Sequence, residues 1–277
     1  MLKQIKVNDR ITVLQSKSGL LNSTLVEYDD AIIVVDTLLL PAEINELNEI
    51  VKSYSKPLAY ILNTHYHSDH CYGNSVLRQE NTVVIAHELA MNTLLSERNM
   101  LRKGRKVEVD KLKVKPPNVS FSDEYILDSK WGIRILHTPG HTPDSSVVIL
   151  EDEGIAIMGD TVLNGTGITV PYFYWGNPYD MLDSLKSLQT HSFKILIPGH
   201  GEPLKSDRLI QNITYLETLI GLSEHIYSID RNIATDEFTT MLPATDCLPG
   251  TTKEDFWVYQ MHDLNLKRML MILRNDK

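Results

Sequence analysis

From Thr64 to His70 the chain reads Thr-His-Tyr-His-Ser-Asp-His, so His65 to His70 place three imidazoles and a carboxylate within six residues, directly after the apolar run Leu58–Leu62. A short apolar run ending in a polar turn is consistent with a buried strand that delivers the next residues to a sheet edge. Side chains of an extended chain alternate with a period of two. His65 and His67 therefore face one side and can reach one metal ion, while Asp69 and His70 turn the other way. Imidazole nitrogens and carboxylate oxygens at roughly 2.0–2.2 Å suit Zn²⁺, and the same donors are compatible with iron or manganese.

The same grammar recurs three times. Thr138-Pro139-Gly140-His141-Thr142, Met158-Gly159-Asp160-Thr161 and Pro198-Gly199-His200-Gly201 each place a ligand-type side chain in a small polar turn beyond an apolar strand. The glycines beside these ligands let backbone approach the site without a Cβ in the way. His87, His137, His191, His225 and His262 fall outside the pattern and read as helix, strand or surface residues. Cys71 follows His70 into a helix, where each residue turns about 100° from the last, so its thiol reads as packed and not as a ligand.

Together these residues resemble the signature of the metallo-β-lactamase superfamily, H-x-H-x-D-H followed by a histidine, an aspartate and a histidine, over about residues 11–205 with all seven positions filled. Seven spaced ligands are far more specific than a lone glycine-rich loop. The resemblance implies an α+β fold, a four-layered αβ/βα sandwich with the site at one edge between the sheets. The catalytic domain is then expected over residues 1–205 and a C-terminal helical cap over residues 206–277. It also implies two divalent metal ions, Zn²⁺ before Fe or Mn: His65, His67 and His141 on the first, Asp69, His70 and His200 on the second, Asp160 bridging.

Two cations roughly 3.5–4 Å apart lower the pKa of a shared water, so a hydroxide nucleophile exists near neutral pH. The expected activity is hydrolysis of a small-molecule ester, thioester, lactone or lactam, with Asp69 as the catalytic group that orients the nucleophile and takes its proton. Glyoxalase II-like thioesterases, lactonases, β-lactamases, alkylsulfatases and phosphodiesterases of the superfamily share these ligands. The glyoxalase II-like enzymes often carry a pair of glycines after Asp-His, where this chain has Cys71-Tyr72. Two alternatives are a phosphodiesterase or ribonuclease-like hydrolase and a non-haem iron oxidoreductase, although diiron members usually carry a glutamate where His67 stands.

Asp36, at the end of the strand Ala31–Val35, is the candidate to support a ligand histidine, against the alternative of a helix N-cap before Pro41. Tyr172, Phe173, Tyr174 and Trp175 follow Asp160 closely enough to wall a substrate pocket, with Tyr66 and Tyr72 as companions.

Periodicity predicts strands at Ile11–Gln15, Ser23–Glu27, Ala31–Val35 and Thr82–Ala86, and helices from Pro41 and over His87–Asn99. Beyond Pro116-Pro117 a second sheet is expected from Val119–Phe121, Tyr125–Leu127, Ile133–His137, Ser145–Leu150 and Ile155–Met158. A helix at about Pro178–Gln189 and the strand Lys194–Ile197 come next, then long helical patterns from Asp207.

A formal charge of −9 argues against nucleic-acid partners, whose affinity rests on lysine and arginine. The local basic strip Arg98–Lys115 reads as a solvated face, or alternatively as a flap for an anionic substrate. Met1–Arg10 lacks the apolar run of a secretory signal, and no stretch approaches the ~20 apolar residues of a membrane span. Cys71 and Cys247 lie far apart, which predicts a reducing, cytoplasmic setting without a disulfide framework. The sequence leaves the oligomeric state open and is compatible with a homodimer.

Overall fold

Residues 1–96, 115–165, 167–252 and 254–275 are described in the computed structural model. The first sheet takes its strands in chain order: β1 (Lys3–Lys6), β2 (Ile11–Gln15), β3 (Asn22–Glu27), β4 (Ile32–Val35), β5 (Leu58–Leu62), β6 (Val83–His87) and β7 (Val119–Phe121). Neighbours are antiparallel from β1 to β4 and parallel from β4 to β7. The change falls where the chain first crosses over a face of the sheet, through α1 (Pro41–Ser53), since a parallel return needs such a crossover. Pro41 stands in the first turn of α1, where its missing N–H leaves no gap, and Ile44, Leu47 and Val51 bury one face. The short helices α2 (Ser68–Cys71) and α3 (Asn74–Leu77) follow β5, and α4 (Glu88–Ser96) follows β6.

Val119–Phe121, expected to open the second sheet, instead closes the first. As β7 it lies parallel to β6 with Val119 opposite Ile85. A strand reached after a helix returns parallel beside the strand the chain left, so Pro116-Pro117 ends that excursion and does not separate the sheets. β1 leaves no apolar signal in the sequence, because Lys3–Lys6 is polar and largely exposed on an edge.

The second sheet contains β8 (Glu124–Ile126), β9 (Ile133–His137), β10 (Ser146–Leu150) and β11 (Ile155–Gly159), all antiparallel to their chain neighbours. A two-stranded ribbon, β12 (Leu163–Asn164) with β13 (Thr169–Val170), and the helix α5 (Pro178–Leu188) intervene before β14 (Ile195–Pro198), parallel to β11, and β15 (Leu204–Lys205) on the edge. β9, β11 and β14 therefore run the same way, and their C-terminal ends open on one edge.

Alternation along these strands sets the layers. Ile33 and Val35 of the first sheet meet Val148, Leu150, Ile157 and Ile197 of the second in one apolar cluster between the sheets. Ile32 and Val34 face outward onto Ile44, Leu47 and Val51 of α1. Val147, Ile149 and Met158 face outward onto Met181 and Leu185 of α5. Strands covered on both faces need apolar residues at every position, and β4, β10 and β11 have buried residues throughout. Each such Ile or Leu contributes about 1.5–3 kcal/mol through burial.

The C-terminal helices α6 (Asp207–Ile229), α7 (Thr235–Met241), α8 (Ala244–Cys247) and α9 (Phe256–Asn275) cover the outer face of the second sheet. Leu216 and Leu219 of α6 and Leu266 and Met269 of α9 belong to the same apolar cluster as Val147 and Ile149, so the two regions share one core. Among the described residues no helix is long and apolar enough to cross a membrane.

Candidate metal centre

The strand ends bring all seven expected ligands together. His65, His67, His141 and Asp160 form one group and Asp69, His70 and His200 a second, with the donor atoms within each group no more than 4.8 Å apart. His67 Nδ1 lies 3.0 Å from His65 Nε2 and 3.0 Å from His141 Nε2. Three imidazole nitrogens converging at this distance resemble the edge of a tetrahedral site, about 3.3 Å for ligands at ~2.05 Å. Asp160 stands between the groups: its Oδ2 is 3.5 Å from His141 Nε2 and 3.6 Å from His200 Nε2, and its Oδ1 is 3.4 Å from His70 Nε2. Asp69 Oδ2 is 3.5 Å from His200 Nε2 and 3.8 Å from His70 Nε2. The buried atoms His70 Nε2 and Asp160 Oδ1 lie 3.4 Å apart, with no hydrogen bond to any other described residue. Buried polar atoms need partners, and a cation between them would satisfy both, so the donor set fits a metal site.

The outward-facing ring nitrogens are pinned, which fixes the tautomers. His70 Nδ1–H donates to Asp36 Oδ2 at 2.8 Å, His141 Nδ1–H to the Tyr172 carbonyl at 2.6 Å and His200 Nδ1–H to the Gly19 carbonyl at 2.8 Å. Asp36 also accepts from the Thr64 N–H at 2.9 Å and the Thr64 hydroxyl at 2.7 Å, and the Thr64 oxygen accepts from His65 Nδ1–H at 3.1 Å. One carboxylate thus orients imidazoles of both groups. It does not cap α1, whose N-cap is Leu40.

Electrostatics divides the groups. Burial pushes His67 down to about 3 and holds His65 well below the imidazole range, with His141 also lowered. These three are neutral and offer lone pairs. Burial also works against a charge on His70 and His200, yet Asp160 and the neighbouring carboxylates raise His70 well above its usual range and His200 to about 9. Protons on this side stand where a cation would, and a metal would displace them. Burial opposes ionisation of Asp69 and Asp160 as well, but His70 foremost holds both below the usual carboxylate range.

The aromatic candidates divide. Tyr66 packs edge-on against His67 with ring centroids 5.0 Å apart, Tyr172 lies 5.6 Å from His141, and Tyr174 stacks edge-on with the exposed Trp175. Phe173 points the other way, fully buried in the core beneath the helices, because successive residues of the extended loop alternate sides. Tyr72 is buried beside Cys71, so neither lines an open cleft. Cys71 Sγ donates to the carbonyls of Tyr66 and His67 at 3.2 and 3.3 Å, as a packed thiol does. His87 and His137 stack on each other at 3.9 Å, and His262 bonds Tyr215; none of the three joins either ligand group. The basic strip lies outside the described residues, apart from exposed Lys115.

A set of buried amides supports the ligands without being marked by any sequence motif. Asn22 Nδ2 donates to the carbonyls of Pro198 and Gly201 at 2.8 and 2.7 Å, clamping the turn that presents His200. Asn63 Nδ2 donates to the His70 carbonyl at 3.1 Å and is itself bonded by Asn74. Only Asn63 leaves a signal, as an asparagine directly after the apolar strand Leu58–Leu62. Gly199 is required by close approach, since a Cβ there would collide with Asp160 Oδ1.

The family profile of the metallo-beta-lactamase superfamily matches residues 19–202, and the chain belongs to that superfamily. Among relatives, it is 28% identical over 186 residues to the lactamase-like protein nscB of Trichophyton rubrum (strain ATCC MYA-4607 / CBS 118892), covering 67% of this chain and 50% of that protein. It is 26% identical over 205 residues to the protein YobT of Bacillus subtilis (strain 168), covering 67% and 84%. The chain spans about half the length of the nscB relative. Among solved structures it resembles the DIM-1 metallo-beta-lactamase with a TM-score of 0.66 at 22% identity, covering 78% of this chain and 97% of that one, which speaks for the fold.

Proposed function

We propose that the protein is a dinuclear metal-dependent hydrolase of small-molecule esters, thioesters, lactones or lactams. His65, His67 and His141 would hold one ion, Asp69, His70 and His200 a second, and Asp160 would bridge them, with Zn²⁺ the ion best suited to this nitrogen and oxygen set. The observation that carries the reading is the convergence of two groups of donors, His65, His67, His141 and Asp160 in one and Asp69, His70 and His200 in the other, with the donor atoms of each group within 4.8 Å of one another. When bound, such ions supply an activated water and polarise the scissile carbonyl. Asp69, held as a carboxylate and still 28% exposed, would orient the nucleophile and accept its proton. Tyr66, Tyr172, Tyr174 and Trp175 are the candidates for the substrate rim. The lactamase-like name of the nscB relative supports hydrolysis.

The test is metal analysis of the purified protein with a panel of p-nitrophenyl ester, lactone, thioester, nitrocefin and phosphodiester substrates. Two ions per chain and hydrolysis of at least one acyl substrate are expected. Asp160→Ala should lower the metal content and cut kcat/KM by roughly a hundredfold or more, about 2.7 kcal/mol of transition-state stabilisation. Hydrolysis left intact in His67→Ala would remove the first group from the reaction, and a phosphodiester preference would move the activity to the nuclease-like branch.

A further inference from the structure

Resting on the hydrolase reading, we propose that the leaving group of the substrate lies in a slot between Leu20 and Trp257. The substrate class is an ester or thioester whose leaving group has an apolar segment next to the scissile bond and an acidic group beyond it.

The half-open slot has a volume of about 210 Å³ and is lined by Gly19, Leu20, Asn164, Gly165, His200 and Trp257. His200 forms one wall, so the slot opens on the side of the second ligand group. Its position is tied to that group, because the Gly19 carbonyl beside Leu20 holds His200 Nδ1 at 2.8 Å and the Leu20 carbonyl accepts from the Gly201 N–H at 2.9 Å.

Both apolar walls are built with care. Leu20 has a φ of 55°, a left-handed conformation that strains a leucine, and its side chain is 39% exposed. Trp257, from α9, packs against Gly165, where any Cβ would collide with the indole. Leu20, Asn164 and Gly165 continue into a wider recess of about 700 Å³ that Lys3, Lys17 and Glu202 also line. Lys3 is neutralised by Glu202, whereas Lys17 is exposed and has no ion pair among the described residues. Polarity therefore runs outward from the ligand group, through an apolar slot, to a cation. In the reaction the acyl carbon gains the water oxygen, its bond to the leaving oxygen or sulfur breaks, and the alcohol or thiol departs into the slot carrying a proton.

The test compares S-methyl thioacetate, S-heptyl thioacetate and 8-(acetylthio)octanoate, whose thioester bonds have similar intrinsic reactivity. The heptyl compound should exceed the methyl one in kcat/KM by tenfold or more, since each buried methylene contributes about a fourfold factor. The terminal carboxylate should add about threefold at low salt, and Lys17→Glu or about 0.5 M salt should abolish that gain. Trp257→Ala, or Gly165→Leu by a different route, should reduce the heptyl-to-methyl ratio about tenfold. A wild-type ratio near one, or a ratio equal in wild type and both variants, overturns the slot. If no thioacetate is turned over, the hydrolase reading fails on this class, and the slot is judged separately by calorimetric binding of 1-heptanesulfonate to metal-free protein. Binding that weakens at least fivefold in Trp257→Ala and in Lys17→Glu supports it, and binding indifferent to both overturns it.

Discussion

At the scale of single residues, two buried carboxylates near the ligands behave oppositely. Asp36 adopts a φ of 60° at the end of β4, a conformation that aspartate tolerates better than most residues, and spends both oxygens on Thr64 and His70. Support of this kind commonly governs metal affinity by about 10–100-fold. Asp36→Ala is expected to weaken zinc binding by that much in a chelator-competition titration, and unchanged affinity would refute the positioning role. Asp144 is 1% exposed, and burial, only partly offset by hydrogen bonding from Thr142, pushes it up to about 7. Its folded pKa lies above the unfolded value of 3.8, so the folded state holds the extra proton between the two. Stability is then fully present below about pH 4, and falls as pH rises through about 7. The loss is on the order of 4 kcal/mol. Metal-free Asp144→Asn should lack this decline, so that thermal melts at pH 5 and pH 8 differ less than in wild type; equal pH dependence in both proteins would count against it.

Among elements, α9 reaches the site through backbone. Asn265 donates to the Pro171 carbonyl at 2.7 Å and accepts from the Phe173 N–H at 3.1 Å. Those two contacts bracket Tyr172, whose carbonyl holds His141 Nδ1. Asn265 also donates to the Tyr215 hydroxyl at 3.1 Å, which donates to His262 Nδ1 at 3.0 Å while His262 Nε2–H donates to the Leu242 carbonyl at 2.9 Å. The helical cap is thereby a splint for the loop behind a ligand. Asn265→Leu would strand a buried N–H and a buried C=O, at about 1–3 kcal/mol for each group. It should destabilise the fold and, at a temperature where circular dichroism shows it folded, lower zinc affinity about tenfold. Lost stability with unaltered affinity would reduce Asn265 to a packing residue. None of this is legible from periodicity, which marks α9 only as a helix with an apolar face. The network is made by polar residues inside that face, 92 to 94 positions from the loop they hold.

For the whole molecule, the ligands arrive from both sheets: His65 to His70 follow β5 of the first, and His141, Asp160 and His200 follow β9, β11 and β14 of the second. A metal bound there ties the halves together and binds only the folded state. At a hundredfold excess over Kd this contributes about 2.7 kcal/mol, so chelation should lower Tm by roughly 5–10 °C, at ~2–4 °C per kcal/mol for chains of this size, with zinc restoring it. A Tm indifferent to chelation would mean that no ion bridges the sheets. All seven candidate ligands were legible in the sequence alone, because each is a chemically distinctive side chain in a short polar turn beyond an apolar run, a local pattern. The layers came from the family resemblance, while most individual strands were legible as short apolar runs. Only the tertiary structure decided that Asp36 supports His70 and caps no helix, that β7 belongs to the first sheet, that Phe173 is core, and that Asn22, Asn265 and Trp257 stand behind or beside the ligands. Each of these is a contact between segments 34 to 179 residues apart, or the side of a loop on which a residue falls, and neither leaves a periodic trace in the chain.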